Sequence, residues 1–353
     1  MRLLTLFTCI LLFSCQSERQ AKSVEAIPYS KFSGSTMGTS YNIQCDLQNA
    51  DIKAQIDSIL IDINSEVSTY EKESYISKLN RSSASDIPVA SEVRMQTLPK
   101  AKHFTENFTR SKEIYKNTDG YFDPTVMPLV NYWGFGYTPK QKVTDVDSSR
   151  IQEILESVGF DKWTFSDQDS VNSFIKHKNS EIDFSAIAKG YAVDYISSYL
   201  ENQGAQNYMV EIGGELYTRG LNSKGQAWTI GLNKPEEDAA LNDFAVLVQF
   251  SNKALASSGN YRNFYVSNGK KFAHEINPKT GFPEFNDLLG VSVIADNCMD
   301  ADAYATAFMI MGLDRSKEKI EQIDGIEACF FFSDEEGQIQ YVLSSGFDPY
   351  IKS

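Results

Sequence analysis

Ile52, Ile56, Ile59, Leu60 and Ile63 recur at intervals of three and four, the spacing of one helical face. The pattern predicts a helix over 50–66, and similar spacing predicts another over 97–118, stopped by Asp119-Gly120. Further helices are predicted over 148–158, 186–203, 300–311 and 315–323. Alternation of apolar and polar positions takes over elsewhere. "FSGSTMGTSYNIQC" at 32–45 reads as a strand with a Ser/Thr/Gly turn inside it, and 171–184 as strands. From 208 onward strands dominate: "YMVEIGGELYTRG", "AWTIGLN", "FAVLVQFS", "RNFYVSNG", "LLGVSVIAD", "IEACFFFSD" and "QIQYVLSSG". Helices early and antiparallel-looking strands late predict an α+β fold with mainly antiparallel sheets and packed helices. No linker divides 31–350, so these residues are expected to form one compact unit, with room for two lobes. "GYFDPTVMPLVNYWGFG" at 120–136 is aromatic and rich in turn formers but not periodic, as a segment lining a cavity would be.

The first residues follow a different pattern. "MRLLTLFTCILLFSC" has one basic residue, an apolar run at 3–13 too short to span a bilayer, and then Ser14-Cys15. It reads as an export signal over 1–14. "LFSC" resembles a lipobox, in which Cys15 becomes the lipidated first residue of the mature chain. An ordinary signal with a chance cysteine is the plainer alternative. Residues 15–30 would be the acylated cysteine and a polar tether, placing the protein on the periplasmic side of the inner membrane.

Composition narrows the classes. With 353 residues, 42% hydrophobic, the chain is long enough for a sizeable core, and 22 Phe and 18 Tyr argue against disorder. Net charge is −14, and loss of residues 1–14, with one Arg and no acid, takes it to −15. No basic patch serves nucleic acid, and an acidic surface is repelled by anionic lipid, so membrane contact is expected through the anchor. Of the five cysteines, Cys9 goes with the signal and Cys15 with the lipid. Cys45, Cys298 and Cys329 are too far apart in sequence for a disulfide framework or zinc knot. Cys298 and Cys329 could pair, although buried free thiols are the simpler expectation.

Four stretches carry candidate chemistry. In "DADAYATAFMIMG" (300–312), Asp302 and Thr306 are one helical turn apart and share a face. The alternating alanines keep that helix slim, and Gly312 suits a C-cap. Asp302 is expected in the first turn, with Asp300 as N-cap, or Asn297 if the helix starts earlier. A carboxylate and a hydroxyl on one face also suit a hard cation such as Mg²⁺. Helix capping alone is the commoner use of such a carboxylate. In "EIDFSAIAKGYAVDY" (181–195), Lys189 lies near a helix start, against the dipole preference. An anionic ligand would reverse that, whereas a solvated lysine needs no ligand. Neither a Walker A sequence nor GxGxxG is present. In "VEIGGELYTRG", Gly213-Gly214 implies a bulge or a close backbone approach, and Glu211 and Glu215 could face solvent. His274, one of three histidines, sits in "SSGNYRNFYVSNGKKFAHEINPKTGFP" (257–283) and could do acid–base work near neutral pH.

Eight pieces in order, "STMGTSY", "GYFDPTVMPLV", "WGFG", "IDFSAIAKGYAVD", "GGEL", "SGNYRNF", "HEINPKTGFP" and "ADAYATAFMIMG", together resemble the ApbE family of FAD:protein FMN transferases. The resemblance implies a tunnelling-fold-like unit. It also implies an enzyme that moves FMN from FAD onto a Thr or Ser hydroxyl of an exported or membrane flavoprotein, releasing AMP. By the same resemblance, Mg²⁺ is held by Asp302, Thr306 and the Ala186 carbonyl, with water and FAD phosphates completing an octahedron. Met37, Asp123 and Lys189 then contact FAD, Asp123 at an adenosine hydroxyl or amino group. Gly213, Gly214, Tyr261 and Arg262 shape the flavin pocket. His274 is the first candidate to accept the hydroxyl's proton or steady the phosphate, and Asp300 the second. The alternatives are an FAD pyrophosphatase and a non-enzymatic flavin-binding lipoprotein.

Overall fold

The computed structural model describes residues 27–81, 87–90, 93–137, 143–167, 171–236, 243–260, 264–267, 270–284 and 286–352. Its first half alternates hairpins and helices: β1 (Ser30–Thr36), β2 (Thr39–Cys45), α1 (Ile52–Val67), α2 (Tyr75–Asn80), β3 (Ile87–Ala90), β4 (Val93–Pro99) and α3 (Lys102–Asn117). Then come α4 (Met127–Tyr132), α5 (Ser148–Leu155), β5 (Thr164–Asp167), β6 (Val171–His177), α6 (Ala188–Asn202), β7 (Tyr208–Ile212), β8 (Glu215–Arg219) and β9 (Trp228–Asn233). The rest is β10 (Phe244–Phe250), β11 (Lys253–Gly259), β12 (Phe264–Ser267), β13 (Lys270–Ala273), β14 (Leu288–Ala295), α7 (Cys298–Met311), α8 (Leu313–Ile320), β15 (Glu327–Ser333) and β16 (Ile339–Leu343).

One eight-stranded sheet, ordered β1-β2-β7-β8-β11-β14-β15-β16, organises the molecule, and each neighbouring pair is antiparallel. α6 lies against β7 and β8, and α7 against β11 and β14, on one face. On the other face, Leu216, Leu255, Ile294 and Phe331 pack with Leu232, Val246 and Val248 of the antiparallel β9–β10 hairpin. Strand β14 is therefore covered on both sides, which is why "LLGVSVIA" is apolar nearly throughout. A smaller sheet, β3-β4-β6-β5, and a separate apolar cluster around Trp133, Ile151, Phe272 and Ile276 make up the remaining bulk. The α+β class with antiparallel sheets is as expected.

Several boundaries differ from the sequence pattern. The predicted helix over 97–118 starts only at Lys102, and Val93–Pro99 is a strand pairing with β6. The strand expected through 184 ends at His177. Strand β11, "KALASSG", was not foreseen. Its Ala254 and Ala256 lie in the main core on the side of α7, and small residues there let the helix come close. Cys45, Cys298 and Cys329 are all free and buried, so Cys298 and Cys329 do not pair.

Helix α7 is apolar almost all round because it is buried almost all round; only Met299 and Thr306 escape full burial. It begins at Cys298, earlier than predicted, and Asn297 caps it by accepting the Asp300 N–H at 2.8 Å. Asp300 is therefore not the cap. Its carboxylate receives Arg110 Nε at 2.6 Å and Nη2 at 2.7 Å, a two-pronged pair that ties α3 to α7. Asp302 consequently lies beyond the first turn, and Gly312 closes the helix, its N–H reaching Phe308 O.

Candidate functional site

The site is built where the starts of α6 and α7 meet. Helix α6 runs unusually close to α7 at Gly190, where a Cβ would lie 2.3 Å from the Cys298 carbonyl oxygen and 2.8 Å from Met299 Cα. One turn on, Asp194 accepts the Cys298 and Met299 N–H groups at 2.8 Å each, satisfying two orphan donors at the start of α7. Burial pushes the Asp194 carboxyl up to about 7 despite those bonds. Gly190→Ala is expected to cost about 1–3 kcal/mol through overpacking against backbone. It should also displace Asp302, because the Gly190 N–H donates to Asp302 Oδ2 at 3.0 Å. Urea unfolding of the variant checks this, and unchanged stability would refute the close approach.

Asp302, 4% exposed, faces a cavity of about 480 Å³ that is also lined by Asp123, Ala186, Lys189, Glu215, His274 and Thr306. The Lys189 ammonium lies 3.4 Å from Glu215 Oε1 and 3.8 Å from Asp302 Oδ1. Burial works against that charge, but Asp302 and Glu215 outweigh it and hold the lysine above its ordinary range. Burial likewise pushes Glu215 and Asp302 up, with Lys189 opposing. Thr306 Oγ1 shares a hydrogen bond of 3.2 Å with Ser258 Oγ.

Glu215 corrects the expectation of solvent exposure. It is the first residue of β8, 5% exposed, and its Oε2 meets no hydrogen-bond partner among the described residues. Its burial follows from the turn before it. Gly213 and Gly214, with φ of 65° and 108°, join β7 to β8 in a two-residue loop that drives Glu215 inward. Lys189 is partly buried and paired, not solvated.

Asp123 lines the same cavity, and its Oδ1 accepts the Thr125 N–H at 2.8 Å and hydroxyl at 2.6 Å. Burial pushes its carboxyl up to about 6. Asp183, given no role by the sequence, lines the same cavity and accepts Ser185 N–H and Thr69 Oγ1.

Met37 and Gly213 lie elsewhere, in a second chamber of about 1120 Å³ that shares Tyr70, Ser185 and Lys189 with the first. Met37 takes φ 48° in the two-residue β1–β2 turn, a left-handed conformation uncommon for methionine. Gly214 lines neither chamber but a hollow of about 290 Å³ beside β9. Tyr261 and Arg262 fall outside the described residues.

Among the described residues, no three His, Cys, Asp or Glu side chains gather as a metal cluster. Asp302, Thr306 and Ala186 instead offer a carboxylate, a hydroxyl and a carbonyl, and Glu215 has an unmatched oxygen nearby. An all-oxygen set of this kind fits a hard cation such as Mg²⁺.

The family model described as "ApbE family" matches residues 37–330. A "FAD:protein FMN transferase" of Haemophilus influenzae is 35% identical over 319 residues, covering 88% of this chain and 86% of that protein. One of Vibrio cholerae is 34% identical over 355 residues, covering 99% and 98%. The solved structure "Flavin Transferase ApbE from Vibrio cholerae" superimposes with a TM-score of 0.78 at 31% identity, covering 92% of this chain and 100% of that one.

Proposed function

The chain belongs to the ApbE family, and from that footing we propose that it is a Mg²⁺-dependent FAD:protein FMN transferase, lipid-anchored at the periplasmic face of the inner membrane. The general activity, FMN transfer from FAD to protein, follows from kinship with the enzymes of that name. The finer parts of the reading are the metal, the Thr or Ser acceptor hydroxyl with release of AMP, and the anchor at Cys15. Residues 1–14 would be the signal and 15–30 the tether, with the catalytic unit over 31–350. Among the described residues no helix is long and apolar enough to cross a membrane.

One observation carries the site reading: Lys189 stands on the wall shared by two adjoining chambers. FAD is two flat ring systems joined by a charged pyrophosphate. A cation between two chambers suits that shape, with the anionic middle at the start of α6 and a ring system on either side. Asp302, Thr306 and the Ala186 carbonyl would hold Mg²⁺ on the first-chamber side. When bound, the ion would offset charge on the pyrophosphate and its leaving oxygen. Lys189 would add a second positive charge, and Met37 and Asp123 would bound the ligand at opposite ends. His274 would accept the proton of the incoming hydroxyl.

Incubation of the purified protein with FAD, Mg²⁺ and a candidate acceptor flavoprotein tests this. The acceptor should become fluorescent on a denaturing gel, with AMP released. Free FMN and AMP without labelled acceptor would favour a pyrophosphatase. Stoichiometric FAD retained without turnover would favour a flavin-storing protein.

A further inference from the structure

Glu275 is a carboxylate in the wrong place for an ordinary one. It lines the first cavity beside His274, is 6% exposed, and neither oxygen meets a hydrogen-bond donor among the described residues. Leaving such a group unmatched costs free energy. Each of the other carboxylates of the cavity has a donor on at least one oxygen: Asp123 from Thr125, Asp183 from Ser185 and Thr69, Asp302 from Gly190 and Lys189, and Glu215 from Lys189 on Oε1 alone. For Glu275 the contact is the neighbouring imidazole, with His274 Nδ1 3.2 Å from Oε2 in an alignment short of a hydrogen bond.

The backbone keeps it there. Glu275 O accepts the Glu284 N–H at 2.8 Å, Asn277 N–H reaches Phe282 O at 2.8 Å, and Ile276 bridges to Pro283.

We propose that Glu275 is a positioning residue for His274: it holds Nδ1–H, so that Nε2, on the opposite edge of the ring, accepts the acceptor hydroxyl's proton. The inference rests on the reading of His274 as the base. In the step, the hydroxyl oxygen forms a bond to the FMN phosphorus while the bond from that phosphorus to the AMP oxygen breaks. AMP leaves with the electron pair, and the proton passes to Nε2. The resulting imidazolium is balanced by the Glu275 carboxylate, the relation a buried acid bears to histidine in hydrolytic triads. Burial raises the Glu275 carboxyl and the neighbouring imidazole opposes that rise.

Glu275→Gln keeps the shape and removes the charge. It should lower kcat for transfer about 10- to 100-fold, as for the carboxylate behind a metal-bound histidine and less than the loss of about 10⁴-fold in a hydrolytic triad. KM for FAD should stay within about twofold, because substrate binding is not what the residue supplies. Glu275→Asp should restore part of the rate. On a His274→Ala background Glu275→Gln should have no further effect, since it acts through the ring. The melting temperature should not fall, because a buried charge is being removed. A parental kcat in Glu275→Gln, an equal loss on the His274→Ala background, or an effect confined to KM would each overturn the inference. A parental rate in His274→Ala would overturn the base assignment first, and this inference with it.

Discussion

Asp302→Ala is expected to lower transfer at least about 10³-fold, equivalent to about 4 kcal/mol of transition-state stabilisation. The residue is the carboxylate of the proposed cation site and also the acceptor for the Gly190 N–H and a counter-charge to Lys189. Removing it leaves a buried N–H unmatched, at a cost of about 1–3 kcal/mol, which a domain of this size should survive. Activity loss and fold loss are therefore separable. Circular dichroism should show a folded variant, and a Mg²⁺ titration should show a raised requirement or none that restores the rate. Asp302→Asn keeps an acceptor for Gly190 and should be folded but equally slow. A normal rate in either variant at limiting Mg²⁺ would refute the metal assignment. Chelation of the parent protein should mimic the variants, reversibly on adding Mg²⁺.

His274→Ala is expected to lower kcat about 10²- to 10³-fold, the usual contribution of a positioned acid–base group. FAD affinity should change little, because in this reading the ring contributes no charge pairing to the pyrophosphate. Equilibrium FAD binding and single-turnover transfer measured side by side decide it. A variant impaired only in FAD binding would reassign the histidine to ligand contact. Asp300 is a poor substitute base, because both of its oxygens are engaged by Arg110.

Helices and strands were legible wherever apolar spacing is a local matter. Helix α1 follows its isoleucine spacing to within two residues at the start and one at the end. Strand β11 was not, since "KALASSG" lacks the β-branched run of a strand. Its small residues answer to the close packing of α7, which no local window contains. The candidate site divides the same way. Asp302 and Thr306 advertise a shared face through one helical turn, and Lys189 through its place at a helix start. Glu275 gave no such signal: an acid beside a histidine in a turn-rich stretch is ordinary until both its oxygens prove buried.

By itself, then, the sequence determined the α+β class, most of the helices, and, through eight ordered motifs, the family. It also placed Asp302, Thr306, Lys189 and His274 among the residues to watch, because periodicity and turn chemistry act over a few residues. Only the tertiary structure decided which of these meet, since they come from three different segments. Asp302 reaches Lys189 because Gly190 lets two helices touch. Glu215 turns inward because of the glycine turn before it, and Gly214 falls outside both chambers. Asp300 loses the cap to Asn297 because α7 starts earlier, where Asp194 receives its first N–H groups across 104 residues of chain. Burial, and with it the electrostatics of the site, is set by distant neighbours.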